Sequence, residues 1–335
     1  MSDSDRCSTD DGVTDVYGDD LGERPFTVRG EQVRAAAVRD DGWPRSWDGV
    51  VSQFRDYVFD QRQFSKQFTN SVEPMSHRFS EQYAREKTGE VYGADRELQT
   101  EYDDLHCALV TLRGNYWNDD NEGRAPLDFL NDLLASNSNV SAAFRRHVDH
   151  DFARLTVLGA HETGYPHIHH GLWIDGAVDT ETLTPAVGAH VRNSPVAQAN
   201  THDPDGGTIR VWRPDVSDER TSLASEMVSQ FVGWDGILDA PQYEQRFAAL
   251  LWASETRQYR PDDTFRAFID KSQDDDHGDD PGGFEGLRVE GRGDEDDTVI
   301  PPSEITDGTV NRVKAKSLPD DLDPTDDAVE FGGGQ

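Results

Sequence analysis

The sequence predicts an α+β fold, an antiparallel sheet with flanking helices, from three observations. Short apolar runs closed by glycine or acidic turns read as strands at Cys107–Leu112, Leu155–Leu158 and His167–Ile174. Helically spaced stretches lie between and after them. The order strand, helices, strand, strand, helix suits an antiparallel sheet better than alternating parallel units.

The first strand, Cys107-Ala108-Leu109-Val110-Thr111-Leu112, is uniformly apolar apart from its threonine and stops at Gly114. Pro126 to Leu134 places Leu127, Leu130, Leu133 and Leu134 on one side of a helix, and Val140 to Val148 continues as another. Leu155 to Leu158 is the second strand. The stretch from His161 to Pro166 contains Gly164 and Pro166 and reads as a turn. The third strand therefore folds back on the second as an antiparallel hairpin. Helices are expected over Thr182 to Val191, with Pro185 in the first turn, over Leu223 to Val232, and over Gln242 to Ser254.

The flanks differ in character. Residues 1–23 are polar and acidic and read as a disordered tail; residues 271–335 are acidic and Gly-rich and read the same way. Residues 24–99 mix charges with scattered aromatics, among them Trp43, Trp47, Phe54 and Phe68. They are expected to hold short helices packed on a main domain at 100–270, with no role assigned.

Carboxylates outnumber basic residues 66 to 32, giving a net charge of −34. At roughly 1 M salt the Debye length is about 3 Å, so such crowding costs little there. The acidity reads as adaptation to a salt-loaded cytoplasm; the alternative, an acidic disordered chain, fits poorly with apolar runs in the middle. Acidity does not exclude a nucleic-acid partner, because phosphate neutralisation loses most of its worth as salt rises. Stacking, hydrogen bonds and metal coordination would carry binding instead. The two cysteines, Cys7 and Cys107, sit in a polar tail and an apolar run, so no disulfide is expected. No apolar stretch has the length of a membrane span or resembles a signal peptide, so a cytoplasmic location is expected, with no membrane partner. No phosphate-loop motif appears, so no nucleotide cofactor is expected.

The strongest chemical signal is Tyr165-Pro166-His167-Ile168-His169-His170-Gly171. Side chains alternate across a strand, so His167 and His169 share a face while Ile168 and His170 point the other way. Two imidazoles at that spacing suit one divalent cation, and Glu162 in the turn is the nearest carboxylate for a third ligand. The same pair is also compatible with hydrogen-bonded histidines that hold no metal.

These residues carry a resemblance. The stretch 105–176 resembles the rolling-circle replication initiators of haloarchaeal plasmids and viruses, a His-hydrophobic-His (HUH) endonuclease family. Leu109-Val110-Thr111-Leu112 resembles their first motif, Gly164-Tyr165-Pro166-His167-Ile168-His169 their metal motif, and Ala249 to Pro261 a later Trp-Ala…Arg-Pro stretch. The resemblance implies a ferredoxin-like palm, a divalent metal (Mn or Mg) on His167, His169 and Glu162, and single-stranded or origin DNA as partner. It implies metal-dependent nicking and rejoining of that DNA through a phosphotyrosine intermediate.

Two departures stand out. The family carries a carboxylate before the turn, where this chain has Gly159-Ala160-His161. It places tyrosines on a helix where this chain has Met227 and Phe231, which bear no hydroxyl. Tyr259 and Tyr243 are the replacement catalytic candidates. The alternatives are a nicking-deficient DNA-binding homologue, a metal-dependent hydrolase using His167, His169 and Glu162, and an interaction protein whose histidines hold no metal.

Overall fold

The computed structural model describes residues 24–28, 35–69, 77–118, 122–214, 222–233 and 236–275, with the side chains of 62–69, 205, 274 and 275 left aside. Met1–Arg62 with Met75–His277 makes one compact unit. The other unit, Gln63–Pro74 with Gly278–Gln335, contributes only the last turns of one helix to the described residues. The expectations for residues 1–23 and for most of 271–335 lie outside the described residues, except that 271–275 are helical rather than disordered.

In chain order the elements are α1 (Trp47–Thr69), α2 (Glu81–Glu101), β1 (Leu105–Leu112), α3 (Pro126–Leu134), α4 (Asn137–His147), β2 (Phe152–Ala160), β3 (Pro166–Asp175), α5 (Thr180–Asn193), β4 (Ile209–Trp212), α6 (Leu223–Val228), α7 (Gln242–Ala253), β5 (Tyr259–Pro261) and α8 (Asp263–Asp275). The sheet has the order β4-β1-β3-β2-β5, every pair antiparallel. The fold is thus α+β with an antiparallel sheet and flanking helices.

The three central strands read as apolar runs because both of their faces are covered. Even-numbered residues of β1 and β3 (Ala108, Val110, Leu112, Ile168, Leu172, Ile174) join a core with α3, α4, α5 and α7. Odd-numbered Cys107, Leu109 and Trp173, with Leu155 and Val157 of β2, meet α2, α6 and α8. Burial on both sides removes the polar alternation that a half-exposed strand would show. Cys107 is buried, and burial raises its thiol pKa, so it is a core side chain.

Residues 24–99 carry two long helices, of 23 and 21 residues, rather than short ones. Ser80 caps α2, its hydroxyl accepting from the Tyr83 N–H. The buried stripe of α2 is made of small residues, Ala84, Thr88, Val91, Gly93 and Ala94, with Asp95 and Leu98. Asp95 accepts from Trp173 Nε1 and Gln99 Nε2, both at 2.6 Å, which satisfies a buried carboxyl whose pKa burial raises. Trp47 is fully buried, its ring packs edge-on against Tyr165, and its Nε1 donates to the Arg246 carbonyl at 3.1 Å.

Two helices differ from expectation. Asp179 caps α5 through the Thr182 N–H at 2.8 Å, so the helix starts at Thr180 and Pro185 falls in its second turn. The expected helix over Leu223 to Val232 ends at Val228, and the chain turns through Ser229 to Gly233 (φ 94°), where a Cβ would crowd the Phe79 carbonyl at 3.0 Å.

Candidate functional site

The β2–β3 hairpin turns where the glycine and proline predict it. Gly164 has φ 86°, and a Cβ there would meet Arg246 Cβ at 2.9 Å and the Trp47 ring at 3.2 Å. Only glycine meets both demands. The turn is closed by Gly164 N–H to the His161 carbonyl (2.7 Å) and His161 N–H to the Tyr165 carbonyl (2.9 Å). Tyr165 is buried against Tyr116, its hydroxyl donating to the Arg124 carbonyl.

Past the turn, register sets the site. His167 pairs with Gly159, and His169 pairs with Val157 on one side and Thr111 on the other. Both imidazoles rise on the face shared with Gly171 and Trp173, their ring centroids 4.5 Å apart at 80°. His170 lies on the other face, fully buried, with Nδ1 2.9 Å from Thr156 Oγ1 and its ring edge-on to Phe144.

The Gln230 side chain acts as a hydrogen-bonding neighbour of both imidazoles. His169 Nδ1 sits 3.1 Å from Thr111 Oγ1, and its Nε2 is buried. Burial, then Arg113 and Arg210, lowers its pKa to about 4; burial, then His169 and Arg113, lowers that of His167 well below the ordinary value. Both rings are therefore neutral at pH 7, the form whose nitrogen lone pair ligates metals. The same neutrality suits two core histidines.

Gly159 shows what stands in the place of a side chain there. A Cβ on it would lie 2.5 Å from Gln230 Oε1 and 2.6 Å from His167 Nε2. The Gln230 amide thus reaches over β2 to the imidazoles, because α6 stops at Val228. Its Nε2 donates to Ser229 Oγ at 3.0 Å, which leaves Oε1 facing the histidines, and Gln258 Nε2 donates to its backbone carbonyl at 2.6 Å. Gln230 carries no signal in the sequence: it is an amide three places after Met227, in a segment where the resemblance implies a hydroxyl.

The expected third ligand stands elsewhere. Glu162 is exposed in the turn, where its charge acts on His161, a ring whose Nδ1 lies 2.9 Å from Thr163 Oγ1. Among the described residues no three His, Cys, Asp or Glu side chains converge as a metal cluster. Two imidazole nitrogens and the Gln230 amide oxygen fit a divalent cation as a partial ligand set, with further positions left to water or phosphate oxygens.

Met227 and Phe231 pack into the core on the imidazole face: a Cβ on Gly171 would touch Met227 Sδ at 3.0 Å, and Phe231 lies 5.9 Å from the Tyr259 ring. Tyr259 pairs with Val157, which pairs with His169, so it shares the imidazole face two strands away. That is roughly 10 Å between backbones at the usual strand spacing. Its ring is buried with Lys87 Nζ 5.6 Å away, and burial and the Glu90 carboxylate push its pKa far up. Tyr243 lies on α7, in the opposite layer, its hydroxyl donating to Glu244 at 3.1 Å.

The chain is similar to two haloarchaeal proteins. An "Uncharacterized 36 kDa protein" of Halobacterium salinarum is 28% identical over 287 residues, covering 80% of this chain and 90% of that protein. One of the same description from Halobacterium sp. (strain GN101) is 28% identical over 257 residues, covering 71% and 78%. No solved structure matches. A family model described as "Putative rep protein (DUF1424)" matches residues 28–318, which takes in the hairpin, the imidazole pair and both flanking layers, and the chain belongs to that family.

Proposed function

We propose that this protein is an HUH-type relative of the replication initiators that engages single-stranded or origin DNA beside His167, where the imidazole face is partly exposed. A divalent cation, Mn or Mg, would be held there by His167, His169 and the Gln230 amide oxygen. The observation that carries the reading is the pair itself: two neutral imidazoles 4.5 Å apart on one strand face, with the Gln230 side chain set against both. The bound cation would polarise a phosphodiester oxygen as a Lewis acid.

The residues around it assign the remaining tasks. Thr111 orients His169, and Gln258 anchors the backbone from which Gln230 reaches in. Nicking by the family's route further requires a phenolic oxygen to attack phosphorus, expelling a 3′-oxygen that takes up a proton. Tyr259 is the tyrosine on that face, and its hydroxyl is buried with its proton firmly held. With Met227 and Phe231 packed where the tyrosines are expected, the arrangement favours DNA binding without nicking.

The test is incubation of the full chain with labelled single-stranded DNA and Mn in multimolar KCl. Mn-dependent binding that is lost in His167→Ala, without a covalent product, is the expected result. A covalent product that disappears in Tyr259→Phe restores nicking, and cleavage without one identifies a hydrolase. Binding that ignores Mn and His167→Ala alike sinks the metal-centred reading.

A further inference from the structure

The molecule holds a second histidine pair, and its nitrogens behave differently. His190 of α5 and His202, after the Ala199–Thr201 turn, have ring centroids 5.0 Å apart and are 0% and 4% exposed. Every ring nitrogen has a protein partner. His202 Nδ1–H donates to the Gln198 carbonyl at 2.7 Å, so its Nε2 lone pair accepts the Arg113 N–H at 3.0 Å. His190 Nε2–H donates to the Arg113 carbonyl at 3.0 Å, and its Nδ1 accepts from Ser136 Oγ at 2.6 Å. With no lone pair left over, this pair is no metal site.

What it holds is one peptide unit on each side of one residue. The N–H and the C=O of Arg113 are gripped by imidazoles from two segments, at the point where β1 has ended and strand pairing no longer fixes the backbone. Thr111, two residues earlier, touches His169. Arg113 follows Thr111 by two places, close enough to the imidazole pair for its charge to act on both rings. Its side chain is exposed, and its charge is felt by His161, His167 and His169.

We propose that Arg113 is the anion anchor of the imidazole face, binding a phosphate of the DNA strand, and that His190 and His202 are positioning residues that set its backbone. This rests on the DNA-binding reading above. The guanidinium fork suits the task, since two parallel hydrogen bonds to phosphate survive in salt that screens a point charge. In a chain of net charge −34, an arginine close to the imidazole pair supplies local positive charge for a phosphate.

Binding of a fluorescent single-stranded oligonucleotide to the full chain, followed across a KCl series, tests this. Arg113→Gln is expected to weaken binding at least about tenfold and to lower the slope of log affinity against log salt by about 0.7. Arg113→Lys keeps the slope and loses the affinity. His202→Leu, which removes the acceptor, reproduces part of the Arg113→Gln loss of slope, and His202→Gln, which keeps one, restores it. A purely structural role would change melting temperature but not the slope; should His202→Leu not fold, His190→Leu, which removes the donor to the Arg113 carbonyl, takes its place with the same expected loss. Arg113→Gln with unchanged affinity and slope overturns the anchor, even where His167→Ala still abolishes Mn-dependent binding and the reading of the site stands. A normal slope in folded His202→Leu overturns the positioning role. A wild-type chain that binds no strand overturns both the anchor and the DNA-binding reading.

Discussion

Gly159 has only hydrogen where its neighbours carry side chains, and the space above it is taken by Gln230 Oε1 and His167 Nε2. Gly159→Ala is therefore expected to displace both, at a cost of about 1–3 kcal/mol in stability, read by thermal melting. Mn affinity should fall with it, measured by calorimetry. Gln230→Ala should lower Mn affinity about tenfold, whereas Glu162→Gln should leave it unchanged. The reverse ranking would return the turn carboxylate to the ligand set. The histidine spacing was plain in the sequence because strand alternation is local; the partner over Gly159 was not, because it arrives from seventy residues later through a helix that stops early.

At the scale of elements, the Arg113 clamp carries a pH signature. His190 titrates at about 4 in the folded chain, lowered chiefly by burial, against an ordinary value of 6.5. The titratable ring facing it is His202, also lowered by burial. A base with a depressed folded pKa binds its proton more readily when unfolded. Its stabilisation is thus complete above pH 6.5 and is lost as pH falls through 4. One such group gives a slope of about 1.4 kcal/mol per pH unit in that window. Denaturation midpoints of wild type and His190→Gln between pH 4 and 7 should converge as pH falls; parallel curves would show that His190 does not titrate there. The same scale explains what the sequence concealed. β1 and β2 were readable as apolar runs, β3 from the apolar stretch that its Asp-Gly turn closes, and α3 from leucines on one side. β4 and β5 are edge strands of four and three residues, too short for a pattern. The inner stripe of α2 has only Val91 and Leu98 as larger apolar residues among alanine, glycine, threonine and aspartate, too few to show as a helical face.

For the whole molecule, the carboxylate excess governs the conditions of folding. Among the described residues the ion pairs include exposed ones, such as Arg39–Asp41 and Lys271–Glu101, each worth little. Net repulsion is then balanced chiefly by screening. The melting temperature is expected to rise steadily from dilute buffer to multimolar KCl, and a scan showing no rise would remove the halophilic explanation of the charge. No helix among the described residues is long and apolar enough to cross a membrane.

The tryptophan that opens α1 lies beneath the hairpin tip, pressed against Tyr165 and tethered to the Arg246 carbonyl. A gene fragment begun at residue 100 would keep every histidine and still expose the underside of the bend that aims them. Such a fragment should come out of expression as aggregate, and Trp47→Ala in the intact chain should cost about 3–5 kcal/mol. Anyone cutting this protein down to the part that holds the hairpin would have to carry Trp47 and its helix along with it.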